Sequence, residues 1–256
     1  LAGALNYATA DMILCPVTEY NSDAFVNFKK YSEENGNGIT VPSVNDTYTI
    51  GSADIKILGV NSGTDINDTS IVLRIEYGET SFLFTGDATR ETEQVILNSG
   101  ADLESTVLKV GHHGSETSTS YVWLNEIMPK YAVISAGNGN SYGHPTDAVL
   151  SRLSDADVIT YRTDLNGNIK AVSDGSKVTF TTDRIASNEE IFTPATTTAL
   201  VTTTTAINPV TTTTTTAATK KTTTTMATTT AIKTTATPIT VTTSATSIPP
   251  NTYGTT

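Results

Sequence analysis

The chain is poor in cysteine, in long apolar runs and in basic residues, and each shortage excludes a class of protein. Cys15 is the only cysteine in 256 residues, so an internal disulfide framework is excluded. No stretch approaches the ~20 consecutive apolar residues that a membrane span needs. The 15 basic residues are outnumbered by 26 acidic ones, which argues against a broad basic surface for nucleic acid.

The composition divides the chain into two parts. All 26 acidic residues precede position 193, and half of the residues from Thr193 to Thr256 are threonine. The second part has almost nothing to bury and cannot form a core. We therefore predict one domain over residues 1–185 and a disordered, Thr/Pro-rich low-complexity linker over residues 186–256.

The linker composition also bears on location. Thr/Pro-rich tracts are typical of the O-glycosylated stalks of secreted proteins, although an unmodified spacer has the same composition. The tract and the single cysteine predict an extracellular or cell-surface protein. A spacer of this kind also predicts a further module on its C-terminal side.

The order of predicted elements indicates the fold class. Residues 1–8 and 23–34 have helical patterns, and the short apolar run 12–16 predicts a buried strand. Strand patterns follow at 48–50, 54–60, 71–77 and 81–85. Strands at 106–110, 131–135 and 158–162 then alternate with helices at 88–97, 120–128 and 147–153, before a last hairpin at 168–182. A group of strands followed by alternating strands and helices predicts an α/β sandwich.

The histidines lie in loops after predicted strands. Thr85-Gly86-Asp87 follows one strand, Gly111-His112-His113-Gly114-Ser115 follows the next, and Tyr142-Gly143-His144-Pro145 follows the third. In open α/β sheets, ligands gather at the carboxyl ends of the strands. Asp and His side chains are ligands for zinc and similar metals. The pattern therefore predicts that one acid and three imidazoles share one edge of the sheet.

Each of these residues also has an ordinary explanation. A strand-end Asp such as Asp87 often caps a helix, a His-His pair in a loop is often only solvated, and His144 before proline suits a turn. The functional interpretation depends on all of them falling at one predicted edge.

Four sequence strings together resemble the metallo-β-lactamase fold, in particular the ComEC-like hydrolase domain of competence proteins. They are Asn67-Asp68-Thr69-Ser70-Ile71-Val72-Leu73, Phe82-Leu83-Phe84-Thr85-Gly86-Asp87, Leu108-Lys109-Val110-Gly111-His112-His113-Gly114-Ser115 and Tyr142-Gly143-His144-Pro145. The resemblance implies an αββα sandwich that holds one or two divalent metals, zinc or manganese, at its edge. It also implies a metal-activated water that attacks a phosphodiester or another ester.

The resemblance further implies roles for individual residues. Asp87 and His144 are expected to be metal ligands, and His112 and His113 are expected to be catalytic, either at the metal or facing the leaving phosphate. Four residues are expected to orient the ligands or to touch substrate: Asp68, Lys109, Ser115 and Asn140. Asp68 lies about where many relatives carry another metal-binding histidine.

The chain departs from the family in one large respect. The main metal motif, His-x-His-x-Asp-His or its ComEC-like version, is absent, and the first residues resemble those that follow it. We therefore expect residues 1–185 to be the C-terminal portion of the domain. We also expect this fragment to bind metal poorly and to be nearly inactive, which elemental analysis would test.

Three functions remain open. The first is a secreted metal-dependent phosphodiesterase or nuclease that acts on DNA, a nucleotide or another phosphoester. The second is a hydrolase of the same fold for a lactone, a β-lactam or a cell-wall phosphoester. The third is a non-catalytic, surface-displayed module.

Overall fold

The structure is a computed structural model that describes residues 2–194 and the pair 242–243. The helices are α1 Ala2–Leu5, α2 Asp23–Glu34, α3 Arg90–Asn98, α4 Tyr121–Ile127, α5 Asp147–Asp155, α6 Thr163–Asn166 and α7 Asn188–Ile191. The strands are β1 Thr47–Ile50, β2 Ala53–Gly59, β3 Val72–Tyr77, β4 Thr80–Phe84, β5 Val107–Lys109, β6 Tyr131–Ile134, β7 Ile159–Arg162, β8 Ile169–Ser173, β9 Val178–Thr182 and β10 Thr242–Thr243. Two 3-10 turns span Ile66–Thr69 and Gly111–Gly114.

Seven strands form one sheet in the order in which they occur in the chain. β1 to β4 pair antiparallel, and the predicted tight turn at Gly78-Glu79 joins β3 to β4. β4 to β7 pair parallel and are connected through α3, α4 and α5. Parallel strands end at the same edge of a sheet, so the loops after β4, β5 and β6 lie side by side.

The two faces of this sheet bury different cores. Side chains alternate across a strand, so Leu83, Leu108 and Ile134 face the helical layer with Trp123, which is only 1% exposed. The opposite face carries Val107 and Val133. It packs on β8 and β9, where Ile169, Val178 and Phe180 complete a second cluster. The expected α/β sandwich is confirmed, with one helical layer and two sheets among the described residues.

The small sheet has the order β10-β8-β9, with both pairings antiparallel. The predicted hairpin at 168–182 therefore forms. Apart from β10, the predicted Thr-rich linker beyond residue 194 lies outside the described residues. Within the described part of the chain, every helix is too short or too polar to span a bilayer.

The predicted strand at 12–16 is wrong. Only isolated bridges form here, between Leu14 and Thr40 and between Ala10 and Gly36, and Met12 is half exposed. Ile13 instead packs with Leu5 and Phe28 in a small cluster of its own. A run of four apolar residues has no period, so the sequence pattern could not distinguish a strand from an irregular buried segment.

Two short helices, α6 and α7, were not predicted. α7 buries Ile191, and the buried Arg162 guanidinium donates to the carbonyl oxygens of Ile191 at 2.7 Å and Thr193 at 2.5 Å. The packed part of the chain therefore extends beyond the predicted boundary at residue 185.

Candidate active site

The three loops that carry the acid and the imidazoles are joined by their backbones. The His112 amide donates to the Gly86 carbonyl oxygen at 3.0 Å, which joins the loop after β5 to the loop after β4. The Thr146 amide donates to the Gly114 carbonyl oxygen at 2.9 Å, which joins the loop after β5 to the loop after β6. The fold therefore places the predicted site residues at one edge of the large sheet.

Asp87 and His113 form a pair. Asp87 Oδ1 lies 3.5 Å from His113 Nε2, and His113 Nδ1 lies 2.7 Å from the Ser135 carbonyl oxygen. A carbonyl oxygen only accepts hydrogen bonds, so the Nδ1 of His113 carries a proton. Contact with His113 holds the pKa of Asp87 below its ordinary value, and contact with Asp87 raises the pKa of His113. The pair therefore favours a carboxylate beside an imidazolium.

His112 and His144 form the second half of the group. Their rings meet edge to face, with the centroids 5.7 Å apart. Burial lowers the pKa of His144, and the neighbouring charges of His112 and His113 lower it further. A neutral imidazole is the form that binds metal, so His144 has the protonation state that a ligand needs.

The His-His turn is backbone-strained. His112 and His113 have φ of 47° and 56°, in the left-handed region that non-glycine residues seldom occupy. Gly114 follows at φ 85°, and a Cβ built there would lie 2.6 Å from Cβ of Pro145. Strain of this kind persists only where the surroundings enforce it, and it clusters at functional sites.

Asn140 organises the loop that carries His144. Its Nδ2 donates to the carbonyl oxygens of Gly137 at 2.9 Å and His144 at 2.6 Å. Its Oδ1 accepts from the amides of Tyr142 at 3.2 Å and His144 at 3.1 Å. Four bonds from one side chain hold residues 137–144 in a single turn, and a role of Asn140 in orienting a ligand stays a prediction.

Lys109 and Ser115 flank the His-His turn in the sequence. The Lys109 ammonium donates to the Val110 carbonyl oxygen at 2.7 Å, and burial lowers its pKa to about 8 against the opposing charge of Asp87. Ser115 is buried, and its Oγ lies 3.0 Å from Thr117 Oγ1. Thr117 Oγ1 is in turn 3.3 Å from His112 Nδ1, so Ser115 reaches the site through a neighbour.

Asp68 supports the site rather than joining the imidazoles. It is completely buried, and its Oδ1 accepts from the Thr89 amide at 2.9 Å and from the Thr92 hydroxyl at 2.7 Å. Thr89 is the N-terminal cap of α3 and lies two residues after Asp87. The carboxylate therefore fixes the chain that leaves Asp87.

Sequence reasoning missed two residues that orient the site. Ser70 Oγ accepts from the Asp87 amide at 3.0 Å, and Thr117 contacts His112 as described above. Both are common loop residues. Ser70 lies far from Asp87 in the chain, so no local signal could have identified it.

The Asp and His side chains of the site are of the types that bind a divalent metal, but they are too few to form a complete site. Carboxylate and imidazole are the ligands that zinc takes, and a closed zinc site uses four of them. Among residues 2–194, no three His, Cys, Asp or Glu side chains are grouped so that they could hold an ion. The roles of Asp87 and His144 as metal ligands stay predictions.

Comparison with known proteins extends the resemblance. Residues 39–138 match the Metallo-beta-lactamase superfamily. The chain is 43% identical over 104 residues to ComE operon protein 3 of Bacillus subtilis and 45% identical over 107 residues to Competence protein ComA of Neisseria gonorrhoeae. It is 36% identical over 104 residues to Recombination protein 2 of Haemophilus influenzae.

Each of these three matches covers 41% of this chain. They cover only 13%, 16% and 13% of the respective relatives. The chain therefore corresponds to a small part of those proteins, and what the whole proteins do does not transfer to it directly.

Proposed function

Because residues 39–138 belong to the metallo-beta-lactamase superfamily, we propose that this chain carries part of the centre of a metal-dependent phosphodiesterase. The superfamily is usually hydrolytic and generally binds divalent metals such as zinc. In this proposal Asp87 and His144 are two of the donors, and the remaining donors are not among the residues that the structure describes. A bound cation would supply a Lewis acid that lowers the pKa of a water.

The observation that carries the proposal is the convergence of Asp87 with the three histidines. Asp87 contacts His113, and His112 contacts His144, at the ends of three neighbouring parallel strands. These side chains come from distant parts of the sequence, and the described part of the chain contains no other histidine. A core or a solvated surface does not require such a concentration of imidazoles.

The protonation states suit attack on a phosphate ester. The raised pKa of His113 favours its cationic, hydrogen-bond-donating form, and the charge of the Lys109 ammonium acts on it. Fixed positive groups of this kind stabilise the charge that develops on phosphoryl oxygens. The Ser135 carbonyl oxygen holds Nδ1–H of His113, so Nε2–H, which lies 3.5 Å from Asp87 Oδ1, is the proposed donor to the substrate phosphate, and His112 stands beside it.

A nucleic acid or nucleotide is the proposed substrate. Two of the relatives are named as a competence protein and a recombination protein, and both processes involve DNA. The chain itself is acidic, with a formal net charge of −11, so it lacks the basic footprint that holds long duplexes. The proposal therefore favours a short or single-stranded phosphodiester.

The test measures turnover by the full-length protein with manganese or zinc. We expect hydrolysis of single-stranded DNA and of bis-nitrophenyl phosphate. Asp87→Asn and His144→Ala should each reduce kcat/KM by at least about 100-fold, the scale of losing a group that stabilises the transition state. Glu126→Gln, which neutralises an exposed acid on α4, is the control and should leave turnover unchanged.

Two results would contradict the proposal. Full activity in both site variants would show that Asp87 and His144 are not part of the catalytic centre. Hydrolysis of a β-lactam or a lactone in place of both phosphodiesters would keep the fold and reject the substrate class.

A further inference from the structure

A cavity of about 410 Å³ opens beside His113 and His144. Its lining includes His113 and His144, together with Ala136, Gly137 and Tyr142. Cavities of this size accommodate small organic groups. A substrate whose phosphate lies at His113 would therefore place its neighbouring group in this space.

Tyr142 offers an aromatic surface to that cavity. Its ring stacks on His144 with the centroids 5.8 Å apart and the planes 25° from parallel. The residue is nevertheless 80% exposed, so much of the ring remains uncovered. An exposed tyrosine beside two imidazoles contributes little to a core, because it buries little of its surface there.

The backbone of Tyr142 is held in place by its loop. The Tyr142 amide donates to Asn140 Oδ1, the same atom that accepts from the His144 amide. The position of Tyr142 is thus tied to that of His144 by one side chain. A preorganised aromatic surface loses less conformational freedom when a ligand stacks on it.

We propose that Tyr142 is a base-stacking residue, and that the cavity between it and His113 receives one nucleobase of a single-stranded phosphodiester. The inference rests on the proposed function and adds the group that the site recognises next to the phosphate. Bases stack on aromatic side chains with little regard to sequence, because every base has a π-face. A site built this way would bind short single strands without the basic groove that this acidic chain lacks.

The experiment compares the binding of two ligands to this chain in the presence of a metal chelator. One is a short oligothymidylate, and the other is the same phosphodiester chain without its bases. Calorimetry avoids an aromatic label that could itself stack. We expect Tyr142→Ala and Tyr142→Leu to weaken oligothymidylate binding by about 5- to 150-fold, the range for one stacked base.

Two variants serve as controls. Tyr142→Phe keeps the ring and should retain the preference for the base-bearing ligand, which Tyr142→Leu should lose although it is also large and apolar. Tyr7→Ala removes a tyrosine that is 89% exposed outside the cavity, and it should leave both affinities unchanged. None of the variants should alter binding of the abasic chain.

The outcomes separate this inference from the hydrolase proposal. Three outcomes would each overturn the stacking role. Tyr142→Ala could weaken the affinity for both ligands equally, it could weaken neither affinity, or the parent chain could fail to bind oligothymidylate. Base-dependent binding by a full-length protein that hydrolyses no phosphodiester would support the stacking role and reject the hydrolase. Hydrolysis of DNA that is indifferent to Tyr142 would do the reverse.

Discussion

Asp68 shows how a single buried charge can stabilise the site without touching substrate. Burial opposes its ionisation, but hydrogen bonds from Thr92 and Thr89 outweigh burial and hold its pKa below the ordinary value of 3.8. A carboxylate that accepts several such bonds is strongly favoured over the neutral acid. Asp68 therefore couples the 3-10 turn Ile66–Thr69 to the N-terminus of α3, which directly follows Asp87.

We expect Asp68→Asn to lower the free energy of unfolding by about 1–3 kcal/mol at neutral pH, because the amide cannot accept all of these bonds. Since folding lowers the pKa of Asp68, its stabilisation is complete above pH 3.8 and is lost as the pH falls through the lower folded pKa. The variant and the parent should therefore converge in acid. Urea unfolding across this pH range measures the effect.

The matched control is Glu126→Gln, which also replaces one carboxylate by an amide, at an exposed position. It should change stability by less than about 0.5 kcal/mol. A similar loss in both variants would show that net charge, and not the bonds to Thr89 and Thr92, is responsible.

The strand-end loops determine the site at the scale of elements. The turn after β5 packs on the turn after β6, and the absence of a side chain at Gly114 permits this contact. Gly114 and Gly100 both have positive φ, at 85° and 68°, but a Cβ at Gly100 would meet nothing within 4 Å. Alanine substitutions at these two glycines therefore distinguish the cost of backbone strain from the cost of steric crowding.

Gly114→Ala should reduce the free energy of unfolding by about 1–3 kcal/mol more than Gly100→Ala, the usual penalty for overpacking. It should also shift the amide and side-chain NMR signals of His113 and His144, which Gly100→Ala should leave in place. Chemical denaturation and histidine NMR spectra of both variants check this. If both variants lost the same stability and the histidine signals did not move, the close approach of Gly114 to Pro145 would not determine the loop structure.

Elements with a clear period or a turn signal were predicted well. β3 and β4 alternate on either side of Gly78-Glu79, and α2 begins at the Ser22 cap. The irregular segment at 12–16 and the short helices α6 and α7 lacked such signals. Their structure depends on contacts such as those of Arg162, which link residues distant in the sequence.

At the scale of the whole molecule, the end of the packed domain depends on Arg162. The guanidinium is almost fully buried, pairs with Asp164 at 2.7 Å and donates to carbonyl oxygens at the end of α7. Ile191 and Phe192 add apolar contacts with the core. A charged group buried in this way is destabilising when its partners are removed.

A chain that ends at residue 185 should therefore be about 2–4 kcal/mol less stable than a chain that ends at residue 194, from the lost burial of Ile191 and the lost bonds to Arg162. Thermal or urea unfolding of the two truncations measures this directly. If the two truncated chains were equally stable, residues 186–194 would not contribute to the stability of the domain.

The sequence alone determined the α/β layering and the edge at which the acid and the imidazoles meet. These follow from periodicity and chain order, because parallel strands connected by helices must end at one edge. Only the tertiary structure decided that Asp87 pairs with His113, that Asp68 binds Thr89 and Thr92 at the start of α3, and that Tyr142 stacks on His144 beside a cavity. Those contacts depend on distances of a few ångströms between loops, which no local pattern in the chain encodes.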